Sequence, residues 1–148
     1  MPKKRRQWLW NILIVLTIVI CGLAFIVHYK NWVKVEKDHL RILSGIYYKE
    51  VQYVAIDSVK MVERIPQMER INGFSAWEKE KGVFKDSLNP ENTVHVYVDN
   101  LLHPKIKVVH SDSLKLYINF SDSLETVETY QILTAKMDSV KAQLSAQK

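Results

Sequence analysis

The chain is poor in the residues on which several kinds of chemistry depend. It has a single cysteine, Cys21, which excludes an intramolecular disulfide, a cysteine-built zinc site and a Cys-x-x-Cys redox pair. Cys21 lies within an apolar run and reads as an apolar residue rather than a reactive thiol; Ile20 before it does not suit a lipid-modification signal, which wants a small residue there. Four glycines are too few, and too scattered, for a glycine-rich phosphate loop. No Gly-x-Ser-x-Gly element presents a nucleophile. Acidic residues are missing from residues 1–34, which hold Lys3, Lys4, Arg5, Arg6, Lys30 and Lys34. The rest of the chain carries all 16 acids and is close to neutral, so the net charge of +5 belongs to the N-terminal segment. A nucleic-acid footprint needs clustered bases on the folded domain, and nucleic acid is not an expected partner. The five histidines (His28, His39, His95, His103 and His110) include no pair at the close spacing of a metal site, so no metal or other cofactor is expected.

What the sequence does have is a long apolar run. Residues 8–27, "WLWNILIVLTIVICGLAFIV", contain no charge. As a helix at about 1.5 Å per residue they span about 30 Å, the thickness of the bilayer hydrocarbon. Trp8 and Trp10 stand at one end, Tyr29 and Trp32 at the other, where amphipathic rings settle at the lipid boundary. "GLA" at 22–24 resembles a signal-peptidase site, but "FIV" continues the apolar run beyond it, which favours a retained anchor. The dense basic cluster at Lys3–Arg6 outweighs the more dilute Lys30, Lys34, Lys37 and Arg41, so the N-terminus is expected in the cytoplasm and the domain outside it.

Past the anchor the period changes to two. "IYYKEVQYVAI" (46–56), "SVKMVERI" (58–65), "TVHVYVD" (93–99), "KIKVVH" (105–110) and "LKLYINF" (114–120) read as strands, separated by turn signals such as "SLNPEN" and "HSDS". Such a series predicts an antiparallel meander curled into a barrel or sandwich. From Asp122 the period becomes that of a helix, with Leu124, Val127, Tyr130, Leu133, Met137, Val140 and Leu144 on one stripe. Asp122 and Glu125 form a capping-box-like start. The expected organisation is a basic tail (1–7), a transmembrane helix (8–29), a connector (30–39), a β-domain with its closing helix (40–135), and a helix extension or frayed tail (136–148).

Several short elements, "VAIDSVKMVERIP" (54–66), "RINGF" (70–74), "KGVF" (81–84), "HVYV" (95–98) and "LYINFSDSLETVETY" (116–130), give the chain from about Leu40 to Leu133 a family look. It resembles the small bacterial pleckstrin-homology-like (PH-like) domains of membrane-anchored proteins. The resemblance implies an antiparallel barrel of six to seven strands closed by a long C-terminal helix, in a protein of the bacterial inner membrane. It does not carry phosphoinositide binding with it, because "RILSGIYYKE" (41–50) offers only Arg41 and Lys49, partly cancelled by Glu50, where lipid-binding members have a basic cluster.

On this reading Gly73 and Gly82 let strands bend where a Cβ would obstruct, and Phe74, Trp77 and Phe84 fill the barrel. Arg70 holds a backbone carbonyl or Glu78. Glu78 and Glu80, with Lys79 and Lys81 opposite, read as a solvated edge rather than paired catalytic carboxylates. The alternative makes Arg70 and Trp77 the flanks of an exposed groove, with Tyr47 and Tyr48 lining it. No catalytic constellation stands out, so the expected function is non-enzymatic: a membrane-anchored module binding a protein or peptide partner, with a small-ligand or lipid-surface binder as the alternative.

Overall fold

The computed structural model describes residues 3–146; Met1 and Pro2 of the expected basic tail, and Gln147 and Lys148 at the other end, lie outside the described residues. The first element, α1 (Lys3–Tyr29), contains a stretch from Arg6 to Val27 long and apolar enough to cross a membrane as an anchor or serve as a signal sequence. None of that stretch is covered by protein. Thr17 fits because its hydroxyl donates to the Leu13 carbonyl at 2.8 Å, so the helix satisfies its own polar side chain.

The stretch expected to be a connector contains a strand. β1 (Asn31–Val35), β2 (His39–Ser44) and β3 (Tyr47–Gln52) form an antiparallel three-stranded sheet, registered by Asn31 opposite Ser44 and Leu43 opposite Tyr48. A single 3₁₀ turn (Tyr53–Ala55) leads to β4 (Ile56–Val62). β5 (Arg70–Ala76), β6 (Lys79–Lys85), β7 (Thr93–Val98), β8 (Lys105–His110) and β9 (Leu114–Ile118) follow, then α2 (Ser123–Ala146). The second sheet has six strands in the order β4-β8-β9-β7-β6-β5.

Two expectations are corrected here. The sheets do not close into a barrel, and the larger one is mixed, because β7 and β9 run parallel with Tyr97 beside Ile118. The reason lies in the 99–104 loop, which carries the chain past the end of β9 to place β8 beyond it. Backbone in such a crossover has no ladder partners and must find others. Asn119, fully buried just after β9, supplies them. Its side-chain oxygen accepts from the Asp99 and Asn100 N–H groups at 2.9 and 3.1 Å, and its side-chain NH2 donates to the Asn100 and Pro104 carbonyls at 2.6 and 3.2 Å.

The two faces of the large sheet hold separate cores. Inward, Tyr97, Ile106, Val108, Leu116 and Ile118 meet Leu40, Ile42 and Val51 of the small sheet and Leu133 of α2. Outward, Phe84, Val94, Val96, Val98 and Tyr117 are covered by Ile65 and Met68 of the 63–69 connector, which crosses this face as a strap. Along α2 the buried stripe is shorter than that expected: Tyr130, Leu133, Met137 and Val140 pack inward, whereas Leu124, Val127 and Leu144 at its two ends are exposed. The part beyond 136, expected to be an extension or a frayed tail, is docked at least to Lys141, whose ammonium reaches the Asp57 carbonyl at 3.0 Å. Half of the capping box forms: the Asp122 carboxylate accepts from the Leu124 N–H at 2.9 Å, while Glu125 pairs with Lys30 at 3.5 Å.

Candidate functional site

"RINGFSAWEKEKGVFK" folds into the β5–β6 hairpin. Gly73 and Gly82 sit directly opposite each other at φ +142° and +155°, with the two backbones in close approach. A Cβ on Gly73 would stand 2.2 Å from the Lys81 carbonyl oxygen, and one on Gly82 equally close to that of Asn72. Only glycine fits either place. The ladder also shifts between Arg70 and Asn72, leaving Ile71 without a register partner. These features are architectural.

β5 pairs with β6 on one side and is the outermost strand of its sheet, so its other edge is open. Arg70 stands at its start. The guanidinium donates to Ser75 and, at 3.0 Å, to Glu80, and it lies 5.6 Å from the centre of the Phe84 ring. Glu80, not Glu78, is therefore its carboxylate partner.

Glu80 and Phe84 also line a groove of about 630 Å³ between the strap and the outer face, with Met68, Val96, Leu101 and Lys105. A second cleft of about 500 Å³ lies across the strap beside Leu88, Asp86, Lys115 and Tyr117. Both volumes fall within the roughly 300–1,000 Å³ of small-molecule sites. Lys105 is tethered to the Glu63 and Leu101 carbonyls at 2.8 and 2.5 Å, and burial pushes its pKa down. Asp86 is held below the usual carboxylate range by its ion pair with Lys115.

The four residues proposed as site-lining do not come together. Trp77 is at the β5–β6 turn with φ +52° and 92% of its surface exposed, so it does not fill the interior; Phe84 is buried on the outer face beneath the strap, and Phe74 is half-buried. Arg70 is at the other end of β5, its guanidinium turned towards Ser75 and Glu80. Tyr47 faces inward, stacked on Tyr97 at 5.9 Å with its hydroxyl 3.3 Å from the Asn72 side-chain oxygen. Tyr48 points to the opposite face of β3, where it bonds to Glu50 beside Arg41.

Between the sheets, Tyr47 adjoins a polar cluster. His95 contacts the Tyr97 hydroxyl at 3.0 Å and the Lys49 ammonium at 3.4 Å. Burial, and then the Lys49 charge, lower the His95 pKa to about 4, and burial raises that of Tyr97 to about 12. At neutral pH both are uncharged. Among the described residues no three His, Cys, Asp or Glu side chains gather as a metal site would require.

A group that the sequence did not reveal joins α1 to the domain. Asn31 donates its backbone N–H to Asp99 at 2.8 Å and its amide to the Tyr97 and Asn119 carbonyls at 2.7 and 2.8 Å. Ser44 donates to the Asn31 side-chain oxygen at 2.5 Å. Asp99 also pairs with Lys81 at 2.9 Å, both side chains being fully buried. Lys81 thus corrects the reading of 78–81 as a solvated edge. Nothing in the alternation "EKEKG" separates a lysine aimed inward from one aimed at water; the missing signal was its partner, 18 positions away in sequence. Compared with family models, curated proteins and solved structures, the chain matches none of them.

Proposed function

We propose that this chain is a single-pass membrane protein whose β-domain, held outside the cytoplasm, binds a peptide or protein segment along the open edge of β5. The observation that carries the reading is the free edge of β5 beside an apolar groove on the outer face of the same hairpin. An extended segment laid against that edge gains main-chain hydrogen bonds, and every second side chain falls on the face that carries Arg70, Glu80 and Phe84. The resemblance to membrane-anchored PH-like domains supports the same mode, since related barrels take partners by strand addition. The role proposed is binding rather than catalysis, and tethering by α1 raises the effective concentration for a partner in the same membrane.

The orientation follows from Lys3–Arg6 preceding the span, which keeps the N-terminus inside. A photo-crosslinking residue placed at Ile71, half-exposed on the edge strand, tests the binding mode against one at Gln131 on the exposed side of α2. A discrete adduct from Ile71 and none from Gln131 is expected in intact cells. Equal labelling from both, or none from either, sinks the reading. Alkaline phosphatase fused after Lys148 is expected to be active, and an inactive fusion reverses the orientation.

The second reading, a small-ligand site, is favoured by the groove itself, in which Glu80 and Lys105 border Phe84, Val96 and Leu101. It predicts protection of the strap without any adduct at Ile71.

A further inference from the structure

Asn31 follows α1 after a single residue, so the base of the domain is set by the end of that helix. Four chain reversals lie at this base. The β2–β3 turn is there because Ser44 pairs with Asn31. The β5–β6 turn adjoins it, with Lys79 4.6 Å over the Tyr29 ring. The 99–104 loop is tied to that turn by the Leu101 N–H donating to Glu78 at 2.7 Å, and the start of α2 by the Glu125–Lys30 pair. Each reversal presents a large apolar side chain outward: Ile46 at 73% exposure, Trp77 at 92%, Leu102 at 75% and Leu124 at 69%. Tyr29 and Trp77 share the wall of one cleft with Asn100 and Ser121. At the far end, the 36–38 and 111–113 turns are Glu-Lys-Asp and Ser-Asp-Ser, and the apolar residues exposed there are Val54 and Leu88.

Trp77 is the least economical of these residues. A two-residue hairpin turn with positive φ favours Asn, Asp or Gly, and a bulky side chain there is strained. The fold therefore gains nothing from tryptophan at this position, in conformation or in burial. Its surroundings are a tyrosine at the end of an apolar helix, Lys30 in its pair with Glu125, the largely covered Lys79 beside Asp99, and three further apolar tips. Trp and Tyr favour the membrane–water boundary, and lysines there reach the phosphates while their stems lie in apolar surroundings.

We infer that Ile46, Trp77, Leu102 and Leu124 form a collar that rests in the interfacial layer of the bilayer crossed by α1, with Trp77 at headgroup level. The domain then lies on the membrane in one orientation instead of swinging on a tether, and the Asn31–Asp99–Asn119 bonds fix the helix end within that seat. The occupant of the collar is lipid, because its four side chains lie at the end of the domain where the chain itself leaves the hydrocarbon. The inference rests on the reading of α1 as a retained anchor.

The test uses the full chain in phosphatidylethanolamine–phosphatidylglycerol vesicles containing brominated lipid. One variant, Trp8→Phe/Trp10→Phe/Trp32→Phe, leaves Trp77 as the only indole; another, Trp8→Phe/Trp32→Phe/Trp77→Phe, leaves Trp10 to report on the span. All the replaced tryptophans are more than half exposed, so the domain is expected to keep its fold. Quenching of both reporters by brominated lipid, with Trp77 losing most of its quenching by aqueous iodide, supports the collar. A quenched Trp10 beside a Trp77 that iodide reaches freely overturns the collar while leaving the anchor in place. An unquenched Trp10 removes the anchor and the collar with it. Should the triple variants fail to fold, Cys21→Ser/Trp77→Cys carrying an environment-sensitive dye, compared with Cys21→Ser/Gln131→Cys, decides the same question. A blue-shifted dye at 77 and a water-like one at 131 support the collar; water-like emission at both overturns it.

Discussion

The inner face of the six-stranded sheet is covered by a three-stranded sheet and the 24-residue helix α2, whereas the outer face is covered by the irregular 63–69 strap. The inner cover consists of regular elements that satisfy their own backbones, and Leu40, Ile42 and Leu133 are fully dry beneath it. The strap is held by a few bonds at its ends: the Lys85 N–H to Glu69 at 2.9 Å, the Ser87 hydroxyl to Gln67 at 2.6 Å, and Lys105 to Glu63 at 2.8 Å. Few buried apolar contacts and few backbone bonds are the marks of a segment that opens locally at low cost. The difference is one of cover: regular elements seal the inner face, and a segment without regular structure lies over the outer one.

The largest break in that comparison is expected at the buried ion pair. Removing one member leaves the other charge in the dry interior, which typically costs about 3–5 kcal/mol. Asp99→Ala also removes the acceptor of the Asn31 N–H. Denaturant unfolding of the detergent-solubilised chain should show that loss, and a loss below about 1 kcal/mol would mean that water reaches Lys81. Leu133→Ala comes next. It empties a fully buried site between α2 and the sheets, at about 2–5 kcal/mol, and amide exchange in β4 and β8 should speed up before that in β5 and β6.

These two residues also mark what the sequence made legible. Leu133 was readable as core because it belongs to a helical stripe, and β7, β8 and β9 were readable because their alternation is local. The long helix and the strand-rich domain followed from the same kind of signal. β1 was missed because "NWVKV" is short and charged and abuts the apolar helix. The parallel β7–β9 pair was missed because it depends on Asn119, a single buried side chain whose partners are loop backbone. Lys81 and Asp99 were missed for a related reason: burial of a charge is decided by where its counter-charge lies in space. Trp77 was misplaced because an aromatic residue near a strand is usually core, and here the turn carries it outward. The candidate groove was not legible, since a strap with no regular structure leaves no period to read.

An effect of intermediate size is expected from pH. His95 has a folded pKa of about 4, below the 6.5 of an unperturbed imidazole, so the unfolded chain takes up the proton first. The associated stability is complete above about pH 6.5 and is lost as pH falls towards 4. His110, lowered chiefly by burial, acts in the same direction. The midpoint of unfolding should fall over this window, and His95→Gln should flatten the fall. An acid limb unchanged by that substitution would show that the inter-sheet cluster is already open to water, which would erase much of the contrast between the faces.

The smallest effect is the one that sharpens the comparison most. Met68 is half-buried on the strap, and shortening it to alanine removes cover from Phe84 and Val96 without touching the inner core. A half-exposed side chain whose surroundings can relax should cost about 1 kcal/mol, well under the Leu133 value. Global unfolding is therefore expected to shift slightly, while amide exchange of the strap and of β6 rises by a larger factor. That pairing would establish the strap as an independently opening unit and the outer face as accessible without unfolding the domain. A global loss as large as that of Leu133→Ala would mean that the strap folds and unfolds with the rest. Both faces would then be equally closed, and a partner at β5 would have to bind on the edge alone.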